Sequence, residues 1–222
     1  MATKKKGTAL LMVWADVPAE KEKDFNRWYN EEHLAERLSV PGFLSGARYE
    51  AVKGEPKHLA CYELESAAVL ESPAYKRVQA HPTERTTRLS PEVIGTTYIR
   101  NVYTMIHPQA LAPEVAQSGM APALQMGRMD VPPEIDDEFN GWYNTIYVPN
   151  YETVPGVIRG RRYRTVTGTP TYLTFYEFEH AKVSESAAWL AQRDAVPQSL
   201  RIRPHMRHAA GSPGVWVKTF ER

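Results

Sequence analysis

The sequence predicts an α+β fold of two βαββαβ units in tandem. Three observations predict it: an internal repeat, a recurring order of strand and helix periodicities within each copy, and an ordinary globular composition. The segment from Ala9 to Ser66 aligns without a gap onto Ala123 to His180, every position shifted by 114. Roughly 25 of about 58 positions are identical, where unrelated segments would share about 3 or 4. Asp16-Val17-Pro18 matches Asp130-Val131-Pro132, Trp28-Tyr29-Asn30 matches Trp142-Tyr143-Asn144, and Val40-Pro41-Gly42 matches Val154-Pro155-Gly156. The chain of 222 residues therefore divides into a first unit at 8–106, a Pro- and Ala-containing linker at 107–122 and a second unit at 123–220.

Within the first copy, Thr8 to Ala15 is a short apolar run that ends at Asp16-Val17-Pro18, where a proline just past an aspartate suits the start of a helix. From Ala19 to Leu38, Phe25, Trp28, Tyr29 and Leu34 recur near the helical period with charges between them, which marks an amphipathic helix ending before Pro41-Gly42. Phe43 to Val52 and His58 to Glu65 read as strands around a Gly54-Glu55-Pro56 turn. Ser66 to Gln79 reads as a second helix, and Tyr98 to Ile106 as the last strand. The second copy repeats this order and ends near Gly214 to Phe220. Such a unit is ferredoxin-like, with both helices on one face of an antiparallel sheet. The other, apolar face needs a partner. The two copies are expected to supply it to each other, sheets packed face to face as a pseudo-dimeric α/β barrel with a cavity between them.

Apolar residues make up 42% of the chain and charged residues 24%, and the formal net charge is +1, so disordered, membrane-spanning and nucleic-acid-binding classes are set aside. The single cysteine, Cys61, excludes an intrachain disulfide, fits a cytoplasmic protein, and on an apolar strand reads as an inert buried thiol. The expected partner is a small molecule, and a further homodimer is compatible with the pattern. His205 and His208 form an H-x-x-H, but beside Pro204 and leading into a strand they make a weak metal site. No metal and no cofactor are expected.

The run Trp28-Tyr29-Asn30-Glu31-Glu32-His33-Leu34, followed by Val40-Pro41-Gly42-Phe43 and Arg48-Tyr49, resembles the EthD-like branch of the dimeric α/β-barrel superfamily. The resemblance covers most of each half. Relatives of this fold include muconolactone-type isomerases, aromatic polyketide cyclases, cofactor-free oxygenases that form quinones and haem-dependent peroxidases, so the resemblance specifies a fold more than a reaction. It implies a role for His33. The second copy has Tyr147 there, with Thr145 and Ile146 in place of Glu31 and Glu32, which suggests one acting copy and one that completes a pocket wall.

An imidazole in a partly dry pocket can give or take a proton near neutral pH, so His33 is the expected acid–base residue. Tyr49 and Tyr62 are the expected catalytic phenols, able to hydrogen-bond an oxygen that gains charge. Trp28, Tyr29, Glu32, Arg48, Tyr143, Tyr147, Tyr163 and Tyr176 are candidate substrate contacts. Trp28 also reads as plain core and Glu32 as a solvated carboxylate, and Arg48 must face the opposite way from Tyr49. The leading expectation is a cofactor-independent lyase, isomerase or cyclase acting on a small aromatic or phenolic metabolite by proton transfer. The alternatives are a non-catalytic metabolite-binding or accessory protein and a haem- or dioxygen-using oxidoreductase of the same fold.

Overall fold

The computed structural model describes residues 4–222. Strand β1 (Ala9–Asp16) leads into α1 (Ala19–Trp28), a single π-helical turn at Tyr29–His33, and α2 (Leu34–Leu38). Then come β2 (Phe43–Lys53), β3 (His58–Leu64), α3 (Pro73–Ala80), α4 (Glu84–Leu89), α5 (Pro91–Ile94) and β4 (Thr97–His107). After α6 (Pro113–Gln117) the pattern returns: β5 (Ala123–Asp130), α7 (Asp136–Trp142), a π-turn at Tyr143–Tyr147, and α8 (Val148–Glu152). It continues with β6 (Val157–Thr167), β7 (Tyr172–Phe178), α9 (Ala187–Gln192), α10 (Pro197–Ile202), the two-residue β8 (Arg207–His208) and β9 (Gly214–Glu221).

Side chains on a strand alternate between two faces, and here both faces are covered. Leu10, Met12 and Trp14 of β1 join one apolar core, while Ala9 and Leu11 join another with Phe25, Trp28 and Leu34 of the helices. That double burial explains why β3 and β7 are buried along their whole length. The strands form one sheet in the order β7-β6-β4-β1-β3-β2-β9-β5-β8, and β5 also pairs with β7, so the sheet closes into an antiparallel barrel with β8 outside the ring. Each half contributes its four strands in the order fourth, first, third, second.

The halves meet edge to edge, through β2 with β9 and β4 with β6, rather than face to face as the sequence predicts. Among the described residues the predicted cavity between the sheets is absent, because the barrel interior is filled by large side chains, among them Trp14, Tyr49, Tyr103, Tyr163, Phe175 and Trp216. The segment predicted as a linker is part of the structure as well. It carries α6, and Met120 and Ala121 insert into the interior core.

At one end of the barrel the filling is ionic. Glu63 and Glu177 occupy equivalent positions in the two halves, and one guanidinium, Arg161, bonds both, at 2.6 and 2.7 Å. The ammonium of Lys6 lies 3.9 and 3.6 Å from the same two carboxylates. All four side chains are buried.

Candidate functional site

With the interior closed, the open space lies outside the barrel, between each half's strands and its own helices. In the first half a cavity of about 220 Å³ is bounded by Leu11 and Val13 of β1, Tyr62 of β3, Tyr98 and Arg100 of β4, and the side chains of Tyr29, His33, Glu36 and Arg37. The second half has its counterpart, about 170 Å³, bounded by Tyr143, Tyr147, Tyr151, Tyr176 and Trp189.

The π-turns shape both cavities. An α-helix places residues i and i+4 on one face, whereas a turn closed by i to i+5 bonds brings i and i+5 together. Accordingly the rings of Trp28 and His33 lie 4.4 Å apart, as do those of Trp142 and Tyr147. The inserted residue also rotates Glu32 outward, where its carboxylate accepts from Thr83 Oγ1 and from Arg85 Nη1. Glu32 therefore does not face the cavity, contrary to its role as a candidate substrate contact.

His33 is 9% exposed, with Tyr29 edge-on to its ring at 5.0 Å. Arg37 Nε donates to its Nε2 over 3.4 Å, and the Glu36 carboxylate lies 3.5 Å from Nδ1. Since an acceptor nitrogen carries no proton, this arrangement puts the proton on Nδ1, facing Glu36. Burial lowers the pKa of His33, an effect that Glu36 opposes, so the ring is neutral at neutral pH. The neighbouring His33 ring in turn holds the Glu36 carboxyl below its usual range. Sequence reasoning missed Glu36 and Arg37, although their places three and four residues past His33 on a helix are a readable signal.

The tyrosines divide by strand parity. Tyr62 belongs to the cavity, and its hydroxyl is buried without a hydrogen-bond partner. Tyr49 does not: it points into the barrel, where its hydroxyl donates to the Ala121 carbonyl at 3.0 Å, so its expected catalytic role is withdrawn. Tyr163, its counterpart, is likewise sealed in the interior and touches neither cavity. Arg48 faces the helices as expected but is used internally, bonding Asn30 Oδ1 and lying 4.7 Å over the Tyr29 ring. Arg162 repeats both contacts with Asn144 and Tyr143. Trp28 is core that backs the histidine, with its indole N–H donating to Thr86 Oγ1. Tyr143, Tyr147 and Tyr176 line the second cavity and not, as the sequence predicts for Tyr147, the far wall of the first. Cys61 is buried in the interior core, and burial pushes its thiol pKa up.

A second titratable group lies nearby. His58 Nε2 is 3.6 Å from Glu22 and Nδ1 is 3.8 Å from Glu50. The carboxylates approach opposite ring nitrogens, and Lys57 already binds Glu22, so a metal ion would have to displace that ammonium. Haem does not fit the first cavity. Both nitrogens of His33 face charged side chains, Trp28 covers its ring, and about 220 Å³ is below the roughly 300–1,000 Å³ of ordinary ligand pockets.

No family model and no curated protein matches the chain. Solved structures do. An anthrone oxidase-like protein is similar over 100% of this chain and 95% of its own, at 17% identity and a TM-score of 0.60. A candidate monooxygenase of Fusobacterium nucleatum covers 97% of this chain and 94% of its own, at 13% identity and a TM-score of 0.59. A mutant chlorite dismutase from Candidatus Nitrospira defluvii covers 97% and 92%, at 11% identity and a TM-score of 0.60. At such identities the likeness shows the fold, which is that of the dimeric α/β barrels. These structures bear the names of an oxidase, a monooxygenase and a dismutase, and that overturns the expectation of a lyase, isomerase or cyclase. Among the described residues no helix is long and apolar enough to cross a membrane.

Proposed function

We propose that the protein is a cofactor-independent oxidoreductase that uses dioxygen to convert a small, one- or two-ring phenol into a quinone in the His33 cavity. The observation that carries this reading is a buried neutral imidazole, held between Glu36 and Arg37, at the wall of an aromatic cavity too small for haem. The names borne by the fold neighbours support the choice of dioxygen chemistry. Membership of the EthD-like branch, inferred from the run Trp28 to His33, and an origin by tandem duplication of a ferredoxin-like unit belong to the same reading.

In the first step the substrate hydroxyl displaces the long Arg37 contact and gives its proton to Nε2 of His33. Glu36 steadies the imidazolium that forms. The freed guanidinium of Arg37 and the unpartnered hydroxyl of Tyr62 hold the phenolate oxygen. The phenolate passes one electron to dioxygen, and the resulting pair combines at the ring carbon para to the oxygen, forming a C–O bond. His33 returns its proton to the peroxide. Loss of the para C–H proton with cleavage of the O–O bond releases water and leaves the second carbonyl. One phenol and one dioxygen thus give one quinone and one water, and the substrate supplies all the electrons. The apolar walls keep bulk water from the radical pair.

Oxygen uptake with a panel of phenols and naphthols, together with mass spectrometry of the product formed under ¹⁸O₂, tests this. We expect one labelled oxygen in the quinone and a fall on the order of 10² or more in turnover for His33→Ala. No oxygen uptake with any compound, or equal uptake by the variant, overturns the proposal.

A further inference from the structure

The second cavity has kept its walls but has no counterpart of the His33, Glu36 and Arg37 set. Where the first half places His33, Glu36 and Arg37, the second places Tyr147, Asn150 and Tyr151. The phenols of Tyr147 and Tyr151 contact each other at 3.3 Å. One imidazole, His208 of β8, lies in the lining, but it is exposed and no carboxylate lines the cavity to steady its charged form; the space, about 170 Å³, is close to that of the first cavity.

Two features show what this space would hold. Its floor carries polar atoms with no partner: the hydroxyls of Tyr176 and Thr174 and the side-chain carbonyl of Gln125, with Tyr176 only 3% and Thr174 only 1% exposed. Leaving such groups buried and unpaired is unfavourable, a cost that a bound hydroxyl placed among them would recover. The rim, in contrast, is cationic. Lys53, Arg193 and Arg203 line the cavity, and no aspartate or glutamate does. Asp194 serves both guanidiniums, at 3.5 Å from Arg193 and 2.5 Å from Arg203, and its single charge leaves an excess of positive charge. The first cavity is different, since Glu36 and Glu92 there offset Arg37 and Arg100.

We propose that the second cavity is a binding site for a small aromatic carboxylate with a ring hydroxyl, of the hydroxybenzoate class, which it holds without converting. The carboxylate meets Arg203 and Lys53 at the rim, the ring lies among Tyr147, Tyr151 and Trp189, and the hydroxyl reaches Tyr176, Thr174 and Gln125. This site is separate from the one proposed for oxidation, and its test reads binding rather than turnover.

The test is calorimetric titration of the full chain with 4-hydroxybenzoate. Tyr62 and Tyr176 are equivalent positions in the two halves, so the paired variants Tyr62→Phe and Tyr176→Phe separate the two cavities. We expect saturable 1:1 binding that weakens at least tenfold in Tyr176→Phe and in Arg203→Gln, stays unchanged in Tyr62→Phe and His33→Ala, and leaves the ligand intact by chromatography. Benzoate, which lacks the hydroxyl, should bind at least tenfold more weakly. No saturable binding below about 1 mM, conversion of the ligand by the His33→Ala variant, or equal loss in Tyr62→Phe and Tyr176→Phe overturns the proposal.

Discussion

His33 has a carboxylate on one ring nitrogen and a guanidinium on the other, and these neighbours set its pH behaviour. Its pKa lies below the ordinary 6.5, so the neutral, proton-accepting form persists to lower pH than in a free histidine. Activity should be flat above about 6.5 and fall on the acid side. Because Glu36 raises the pKa of His33, Glu36→Gln should move that acid limb to still lower pH, and the profile of kcat/KM against pH checks this. A limb that moves upward would remove Glu36 from the positioning role. His58 makes a separate prediction about stability. Burial first, and Arg48 second, depress its folded-state pKa to about 4. Between pH 6.5 and 4 the unfolded chain binds the proton and the folded chain does not, so stability is fully present above 6.5 and is lost as pH falls toward 4. The loss is on the order of 3 kcal/mol at most. His58→Tyr, the residue found at the equivalent position 172, should flatten that dependence when urea unfolding is compared at pH 7 and pH 5.

At the scale of elements, the helix must lie close to the sheet for the cavity to have its shape, and a glycine permits it. A Cβ on Gly46 would sit 2.9 Å from Tyr62 Cδ1 and 3.2 Å from Leu34 Cδ1. Gly46→Ala is therefore expected to destabilise the protein by about 1–3 kcal/mol through overpacking, and to push Tyr62 toward the cavity. Chemical denaturation and the affinity for a phenolic ligand would each report it. Much at this scale was legible in the sequence, because periods of 2 and 3.6 record which side of an element is buried. Phe25, Trp28 and Leu34 lie in the helix core as their spacing requires, and Arg48 and Tyr49 lie on opposite faces. What the alternation does not encode is which face becomes the interior of a closed barrel or whether that interior is filled, so the strand tyrosines are not sorted by sequence alone. The π-turn was equally hidden. It is a backbone event, and without it Glu32 rather than His33 stands on the helical face of Trp28.

At the scale of the whole molecule, the seams between β2 and β9 and between β4 and β6 join stretches far apart in the chain, so no local pattern announced them. Closure within one polypeptide should make thermal unfolding independent of protein concentration, unlike the unfolding of a barrel assembled from two chains. Calorimetry over a hundredfold range of concentration tests it. Arg161→Met would leave Glu63 and Glu177 buried beside each other with only Lys6 and, on Glu177, Arg159 for compensation, and should cost about 3–5 kcal/mol. Replacing Lys6 together with all three members of the Arg161 bridge by well-packed apolar residues should cost far less. The same bridge also breaks the symmetry between the halves. Position 47, the counterpart of Arg161, is alanine, so a single guanidinium reaches two carboxylates related by the repeat. An assembly of two identical chains would bring either no guanidinium or two into that slot. A 1:2 contact of this kind is therefore open only to a barrel whose two halves are one polypeptide.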